Sequence, residues 1–248
     1  MSLPSISTDV IKGPLAIYGG LKVAKDMRVC GNLKTKYALT EYSTFLDEFI
    51  GPTLNTYWTT ATAAGATLGF SGSEPSTYNF TCPATTDAAC AMWVPIVNGL
   101  EITTKHTILD FKAKIDSNDP TKLDISIGVG EISGTYQDYA LISLINNATS
   151  ITNWTLKYTK AGSAITHVDT GIAPVANTYR YWRMEWINGD LLLYTKLTAA
   201  DGWSYILTVP KASQTALAQS IYVRSSFPAG GVASVLSIDY IKCTFQRD

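Results

Sequence analysis

The sequence predicts an all-β chain: a large antiparallel sandwich or barrel preceded by a short β-rich N-terminal stem. Three observations carry that prediction. Residues 11–34 alternate apolar and polar side chains with period two. The remainder breaks into about a dozen short strand-like runs separated by turn residues. Charged residues make up only 16% of the chain, against roughly 25% in an average soluble protein, and Thr, Ser, Tyr and Ala fill the space. Hydrophobic content of 46% argues against disorder.

The stem comes first. Ile11-Lys-Gly-Pro-Leu-Ala, Ile17-Tyr-Gly-Gly-Leu-Lys, Val23-Ala-Lys-Asp-Met-Arg and Val29-Cys-Gly-Asn-Leu-Lys are four hexads sharing one pattern. Ile11, Leu15, Ile17, Leu21, Val23, Met27, Val29 and Leu33 form an apolar stripe on one face. A β-solenoid needs roughly three or more stacked repeats, and four hexads make barely more than one turn of one. A lone ribbon is marginal in water. The economical solution is that copies of the chain bury each other's stripes around an axis, with Gly13, Gly19 and Gly31 allowing close backbone approach. Residues 1–40 are therefore expected to form a homo-oligomeric, trimeric stem. Residues 41–248 are long enough for one large β domain.

After the stem, residues 37–46 read as a joint, with a short helix expected. Strand-like runs follow at 91–97, 100–104, 107–115, 122–129, 139–145, 154–159, 164–168, 178–187, 191–197, 203–209, 220–225 and 235–245. Ser117-Asn-Asp-Pro, Ser133-Gly, Ala161-Gly-Ser, Asn188-Gly-Asp, Asp201-Gly and Pro228-Ala-Gly-Gly punctuate them. The clearest unit runs from Tyr179 to Lys196. Asn188-Gly189 is the favoured pair for a type I′ hairpin turn. Before it, Trp182, Met184 and Trp186 share one face while Tyr181, Arg183 and Glu185 share the other. Trp58, Trp93, Trp182 and Trp186 are assigned to the core.

Composition and cysteine spacing exclude several classes. A net charge of −1 gives no electrostatic reason to expect nucleic acid or an anionic membrane as partner. No apolar run approaches the roughly 18 residues of a membrane span. The first nine residues lack the basic and apolar regions of a signal peptide, so synthesis in a cytoplasm and release by assembly or lysis are expected. Cys30, Cys82, Cys90 and Cys243 contain no C-x-x-C pair and so form no metal site. Cys82 and Cys90 bracket a Pro/Thr/Ala loop, readable as free buried thiols or as a disulfide in an oxidising compartment. The sequons at Asn79, Asn147 and Asn153 read as chance in a Thr-rich chain.

A family resemblance emerges from three segments. Asp47, Phe49, Leu54 and Trp58 match an Asp/Phe…Leu…Trp opening; Tyr179 to Tyr194 matches a Tyr-x-x-Trp/Leu-Arg-x-Glu strand, polar turn and apolar strand; Ile238-Asp239-Tyr240-Ile241 matches an Ile-Asp-x-Ile closing strand. Over about residues 45–246 the order resembles the concanavalin A-like lectin/glucanase sandwich, the laminin-G-like jelly roll. The resemblance implies two antiparallel sheets packed face to face, often with carbohydrate affinity. The fold class expected is thus an all-β jelly roll behind a β-rich oligomerisation stem.

Glycosidases of this fold place two carboxylates about 5–5.5 Å apart for retention, and the acidic residues here are scattered, so no enzyme activity is expected. His106 and His167 lie far apart without a Gly-x-Ser-x-Gly elbow. Asp116, Asn118 and Asp119 form the densest oxygen-ligand cluster, which reads more simply as a solvated turn ending at Pro120. No metal or cofactor is expected. Exposed aromatics edged by polar groups are the usual saccharide platforms. Trp203 with Tyr205 is the best-placed pair, then Tyr136 and Tyr139 beside Gln137 and Asp138, then Trp154 and Tyr158.

Short Gly-x-Leu/Val repeats leading into a β domain resemble those of phage fibres. The expected function is a virion structural protein, a phage fibre, spike or capsid decoration. Its stem would assemble it with other virion proteins, and its sandwich would brace the particle or bind a cell-surface glycan. The alternative is a free-standing carbohydrate-binding lectin module, and a degenerate glycoside hydrolase comes third.

Overall fold

The computed structural model describes residues 42–49, 53–71, 77–85, 87–100, 105–116, 124–130, 139–145, 152–159, 164–211, 218–226 and 233–246, all within the unit Thr40–Asp248. The stem stripe from Ile11 to Leu33 and Tyr136 lie outside these residues, as do Asn118 and Asp119.

In chain order the strands are β1 (Tyr42–Asp47), β2 (Thr59–Ala63), β3 (Thr67–Phe70), β4 (Tyr78–Cys82), β5 (Ala89–Leu100), β6 (Thr107–Ile115), β7 (Asp124–Gly130) and β8 (Tyr139–Ile145). They continue as β9 (Thr155–Thr159), β10 (Thr166–Asp169), β11 (Arg180–Ile187), β12 (Asp190–Lys196), β13 (Ser204–Val209), β14 (Ala218–Ser226) and β15 (Ser234–Gln246). All pairs are antiparallel. One sheet has the order β13-β12-β11-β6-β15-β4-β3, with β1 also on β15. The other has the order β10-β9-β8-β7-β14-β5-β2. The expected antiparallel β-sandwich is what the chain forms.

Period-two alternation builds the core. In β11, Trp182, Met184 and Trp186 are fully buried while Tyr181, Arg183 and Glu185 face outward. Across the same sheet Phe111 of β6 stands between Trp182 and Ile241, so three central strands contribute facing apolar side chains. Met92, Ile125, Ile127, Ile142 and Val223 line the inner face of the other sheet. The Asn188-Gly189 turn has φ of 54° and 91°, the two left-handed residues a type I′ turn demands.

Asp47 organises the entry to the sandwich. Its buried carboxylate accepts the Phe49 N–H at 2.9 Å on one oxygen. On the other it accepts Asn55 Nδ2 at 3.0 Å, the Tyr57 hydroxyl at 3.0 Å and Trp58 Nε1 at 2.7 Å. Four donors on one carboxylate satisfy its lone pairs inside the protein. They also hold Phe49 at φ 49°, a conformation that costs about 1–2 kcal/mol for a bulky residue, with its ring stacked on Tyr78 at 5.6 Å.

Two bulges shape the outer face of the first sheet. In β15, Ile238 opposes Ala113 and Tyr240 opposes Lys112, leaving Asp239 as the extra residue. Ile238 and Ile241 therefore both point inward although three positions apart, and Asp239 and Tyr240 both point outward. The bulge falls where the flanking partner changes: β4 pairs with Ser234–Ile238 and β1 with Ile241–Gln246, so no ladder on that side is broken. In β13, Leu207 opposes Leu193 and Tyr205 opposes Tyr194, so Ile206 is the extra residue. Without it Tyr205 would fall opposite Thr195 and turn inward.

Several expectations are corrected. Tyr42–Asp47 is a strand rather than part of a helix, because pairing with β15 along its whole length outweighs local propensity. Residues 91–97 and part of 100–104 form one strand, Ala89–Leu100, whose ladder to β14 takes up residues 96–99 in an irregularity between the Ser220–Pro95 and Ala218–Leu100 pairs. Trp93 is not core: it lies on the outer face of the second sheet, packed against Leu141 and Tyr222.

Candidate functional site

Outward side chains of the first sheet stand in rows across strands about 4.8 Å apart. Tyr205, Tyr194, Arg183, Asp110 and Lys242 form one row from β13 to β15. Lys196, Tyr181, Lys112 and Tyr240 form the next, alternating cation and aromatic ring. Trp203, just before β13, extends this row. Its indole lies 4.5 Å from the Arg183 guanidinium carbon and 4.9 Å from Lys196 Nζ.

Ionic and aromatic contacts fix these side chains. Arg183 donates from Nε and Nη2 to the two Asp110 oxygens at 2.7 and 2.8 Å, a bidentate fork. That hydrogen bond raises the Arg183 pKa, outweighing burial. Lys112 Nζ donates to Asp239 at 2.6 Å and lies 4.6 Å from the Tyr179 ring and 5.4 Å from the Tyr181 ring. Burial alone would lower its pKa; the hydrogen bond and charge of Asp239 overcome it and hold the ammonium above its ordinary value. Tyr181 and Tyr240 sit 6.2 Å apart, and Tyr194 meets Tyr205 edge-on at 5.9 Å. Burial, then the Asp110 charge, push the Tyr240 phenol up, so it remains a neutral donor at physiological pH.

The predicted site residues divide. Trp203 and Tyr205 are brought together on this face, and Tyr205 is 57% exposed with its hydroxyl 2.9 Å from Thr208 Oγ1. Tyr139 begins β8 in the other sheet and does not join them, and Tyr136 lies outside the described residues. Trp154 is corrected to core, 3% exposed and packed on Trp182 at 5.6 Å, and Tyr158 packs against the same cluster. Trp154 faces inward because its backbone is locked between Ile172 and Thr170. His106 Nε2 pairs with Glu185 at 2.8 Å, whereas His167 sits opposite Lys157 on the second sheet, so the histidines share no site. Asp116 accepts the Val235 N–H at 2.8 Å and pins a turn to β15. Among the described residues no group of three or more His, Cys, Asp or Glu could hold a metal ion. Cys82 of one sheet and Cys90 of the other are free, buried thiols with sulfurs 3.6 Å apart.

Arg183, Lys196, Lys112, Tyr181, Tyr194 and Tyr240 were not singled out from sequence. The signal was present in β11 and β12, where the outward beat of each strand carries an aromatic and a cationic residue, Tyr181 with Arg183 and Tyr194 with Lys196.

No family model matches the sequence, and no curated protein does either. Solved structures do. Peanut lectin in complex with a nine-residue peptide superposes with TM-score 0.59 at 11% identity, over 83% of this chain and 98% of that one. The scaffold is a lectin-like β-sandwich. Lectin II from Ulex europaeus gives 0.56 at 10% identity over 82% and 98% of the two chains. The Ca2+-bound exoplasmic/lumenal domain of VIP36 gives 0.55 at 12% over 83% and 90%. A protein of unknown function from Shewanella oneidensis MR-1 gives 0.61 at 15% over 86% and 90%. On this lectin-like scaffold the aromatic–cation face is carried by the sheet that holds the last strand, β15.

Proposed function

We propose that the chain is a glycan-binding adhesin whose sandwich holds saccharide on the outer face of the first sheet. The observation that carries this is the partly exposed set Trp203, Tyr205, Tyr194, Tyr181 and Tyr240, fixed in place by cations and carboxylates of the same rows. Flat rings present apolar surface to sugar C–H groups, while the edging polar groups meet hydroxyls. The likeness to lectins supports the scaffold; the site is argued from these side chains alone.

A binding rather than a hydrolytic role is favoured because the row's carboxylates are engaged: Asp110 by Arg183, Asp239 by Lys112, Glu185 by His106. The test is a glycan array probed with the wild type and Trp203→Ala. Expected is retention on a subset of glycans, reduced about tenfold by the substitution, a loss of about 1.4 kcal/mol. Unchanged retention by the variant would refute the site.

The hexads at 11–34 favour a further element of this function: three chains joined through residues 1–40, presenting their sandwiches as a phage fibre, spike or capsid decoration. Linked sites multiply weak contacts by roughly 10²–10⁴. Light scattering of the intact chain should return three times the 26.9 kDa chain mass; a monomer refutes the stem and leaves a free-standing lectin module.

A further inference from the structure

Cation placement on this face narrows the ligand. Resting on the glycan-binding role above, we infer that the saccharide carries carboxylates, as a uronic-acid polymer does, and that Lys196 and Lys114 receive them while the neighbouring rings hold the sugars.

Arg183 and Lys112 are neutralised by Asp110 and Asp239. Lys196 and Lys114 are different. Lys196 Nζ donates to the Ala199 carbonyl at 3.0 Å and otherwise stands 5.2 Å from the Tyr181 ring and 4.9 Å from the Trp203 ring. Lys114 Nζ stands 4.9 Å from the Tyr179 ring. Among the described residues neither ammonium forms an ion pair. Asp201 turns its carboxylate to the Thr198 N–H at 2.7 Å; hydrogen bonds from Thr198, with the Lys196 charge as a smaller cause, hold its pKa below the ordinary value.

An ammonium has three donors, so N–H directions remain on both lysines. The whole chain is slightly acidic, at −1, so the excess positive charge here is local. A neutral saccharide lying on the rings would partly desolvate both ammonium groups and offer no counter-charge, an unfavourable exchange. A carboxylate on the same sugar supplies the charge and accepts the free N–H groups. Lys196 ends the Lys112 row beside Tyr181, and Lys114 stands two residues further along β6 beside Tyr179, so an anionic group at either lysine lies next to a ring.

The experiment uses the intact chain on an array of matched pairs: acidic polysaccharides and the same polymers after reduction of their carboxylates to alcohols. The acidic member should be retained at least about fivefold more strongly, the scale of one exposed ion pair. The preference should shrink with added NaCl, since the screening length is about 10 Å at 0.1 M. Lys114→Gln with Lys196→Gln should bring the ratio within each pair toward one. Equal or stronger retention of the reduced members overturns the inference and leaves the glycan-binding role standing. Retention of neither member overturns the inference, and a blank on the full glycan array overturns the glycan-binding role as well, so the two failures are distinguishable.

Discussion

Replacing Asp47 by Ala should cost the sandwich about 4 kcal/mol. The carboxylate is 4% exposed and receives four hydrogen bonds. Two of the donors, the Phe49 N–H and Trp58 Nε1, belong to buried residues and cannot turn to water. Each buried donor left without a partner costs about 1–3 kcal/mol, which sets the estimate. Asn55 and Tyr57 are exposed enough for water to replace the lost acceptor and add little. A domain's total stability is about 5–15 kcal/mol, so the loss is a large fraction of it. For a chain of this size Tm should fall by roughly 8–16 °C. Urea unfolding followed by tryptophan fluorescence measures the change, with an unaltered m value showing that the same surface is exposed. Trp58→Phe removes one donor and keeps the acceptor, and should cost less than half as much. If Asp47→Ala loses under about 1 kcal/mol, or the double variant is simply additive, the carboxylate is not the hub described here.

Two further outcomes follow from the buried polar groups. Burial, then the Lys157 charge, hold the His167 pKa below its ordinary 6.5. The unfolded chain therefore takes up the proton first as pH falls, so this contribution to stability is complete above about pH 6.5 and is lost below it. Proton NMR of the two histidines should show His167 titrating below 6.5, with Lys157→Met recovering only part of the shift; a midpoint above 6.5 refutes the assignment. The Cys82–Cys90 pair bridges the two sheets, and peroxide oxidation to a disulfide with release of water should stabilise the fold. Closing a loop of about nine residues corresponds to about 2.5 kcal/mol by chain entropy, raising Tm by several degrees. Identical melting of the oxidised and reduced protein, at two fewer titratable thiols, would refute it.

Strong local signals were legible in the sequence, and positions decided by pairing were not. The β11–β12 hairpin could be drawn from Asn188-Gly189 and the Trp182–Met184–Trp186 alternation, since turn chemistry and burial agree. β2, Thr-Thr-Ala-Thr-Ala, was missed because every residue of this edge strand is exposed and no apolar beat marks it. β4 has the right alternation in Tyr78, Phe80 and Cys82, but over only five residues. Trp203 and Tyr205 were legible as candidates, yet Tyr205 reaches the face only through the Ile206 bulge. Counting back from Leu207 and Val209 in a regular strand places it in the core. Lys112, Arg183 and Lys196 were invisible as a set, because their juxtaposition depends on the registers of three strands.

The bulge at Ile206 also bears on how such a face can arise. Inserting one residue reverses which side of a sheet every preceding side chain in the strand occupies. In a central strand that reversal would disrupt two ladders at once. Among the described strands β13 is an edge strand bonded only to β12, so one codon gained there moves a tyrosine from interior to solvent while disturbing a single described neighbour. At the other end of the row, Asp239 occupies the gap between the β4 and β1 pairings. Both ends of the face thus lie where the sheet tolerates a change of length, and its chemistry can diversify by single-residue insertion or deletion without any redesign of the hydrophobic interior.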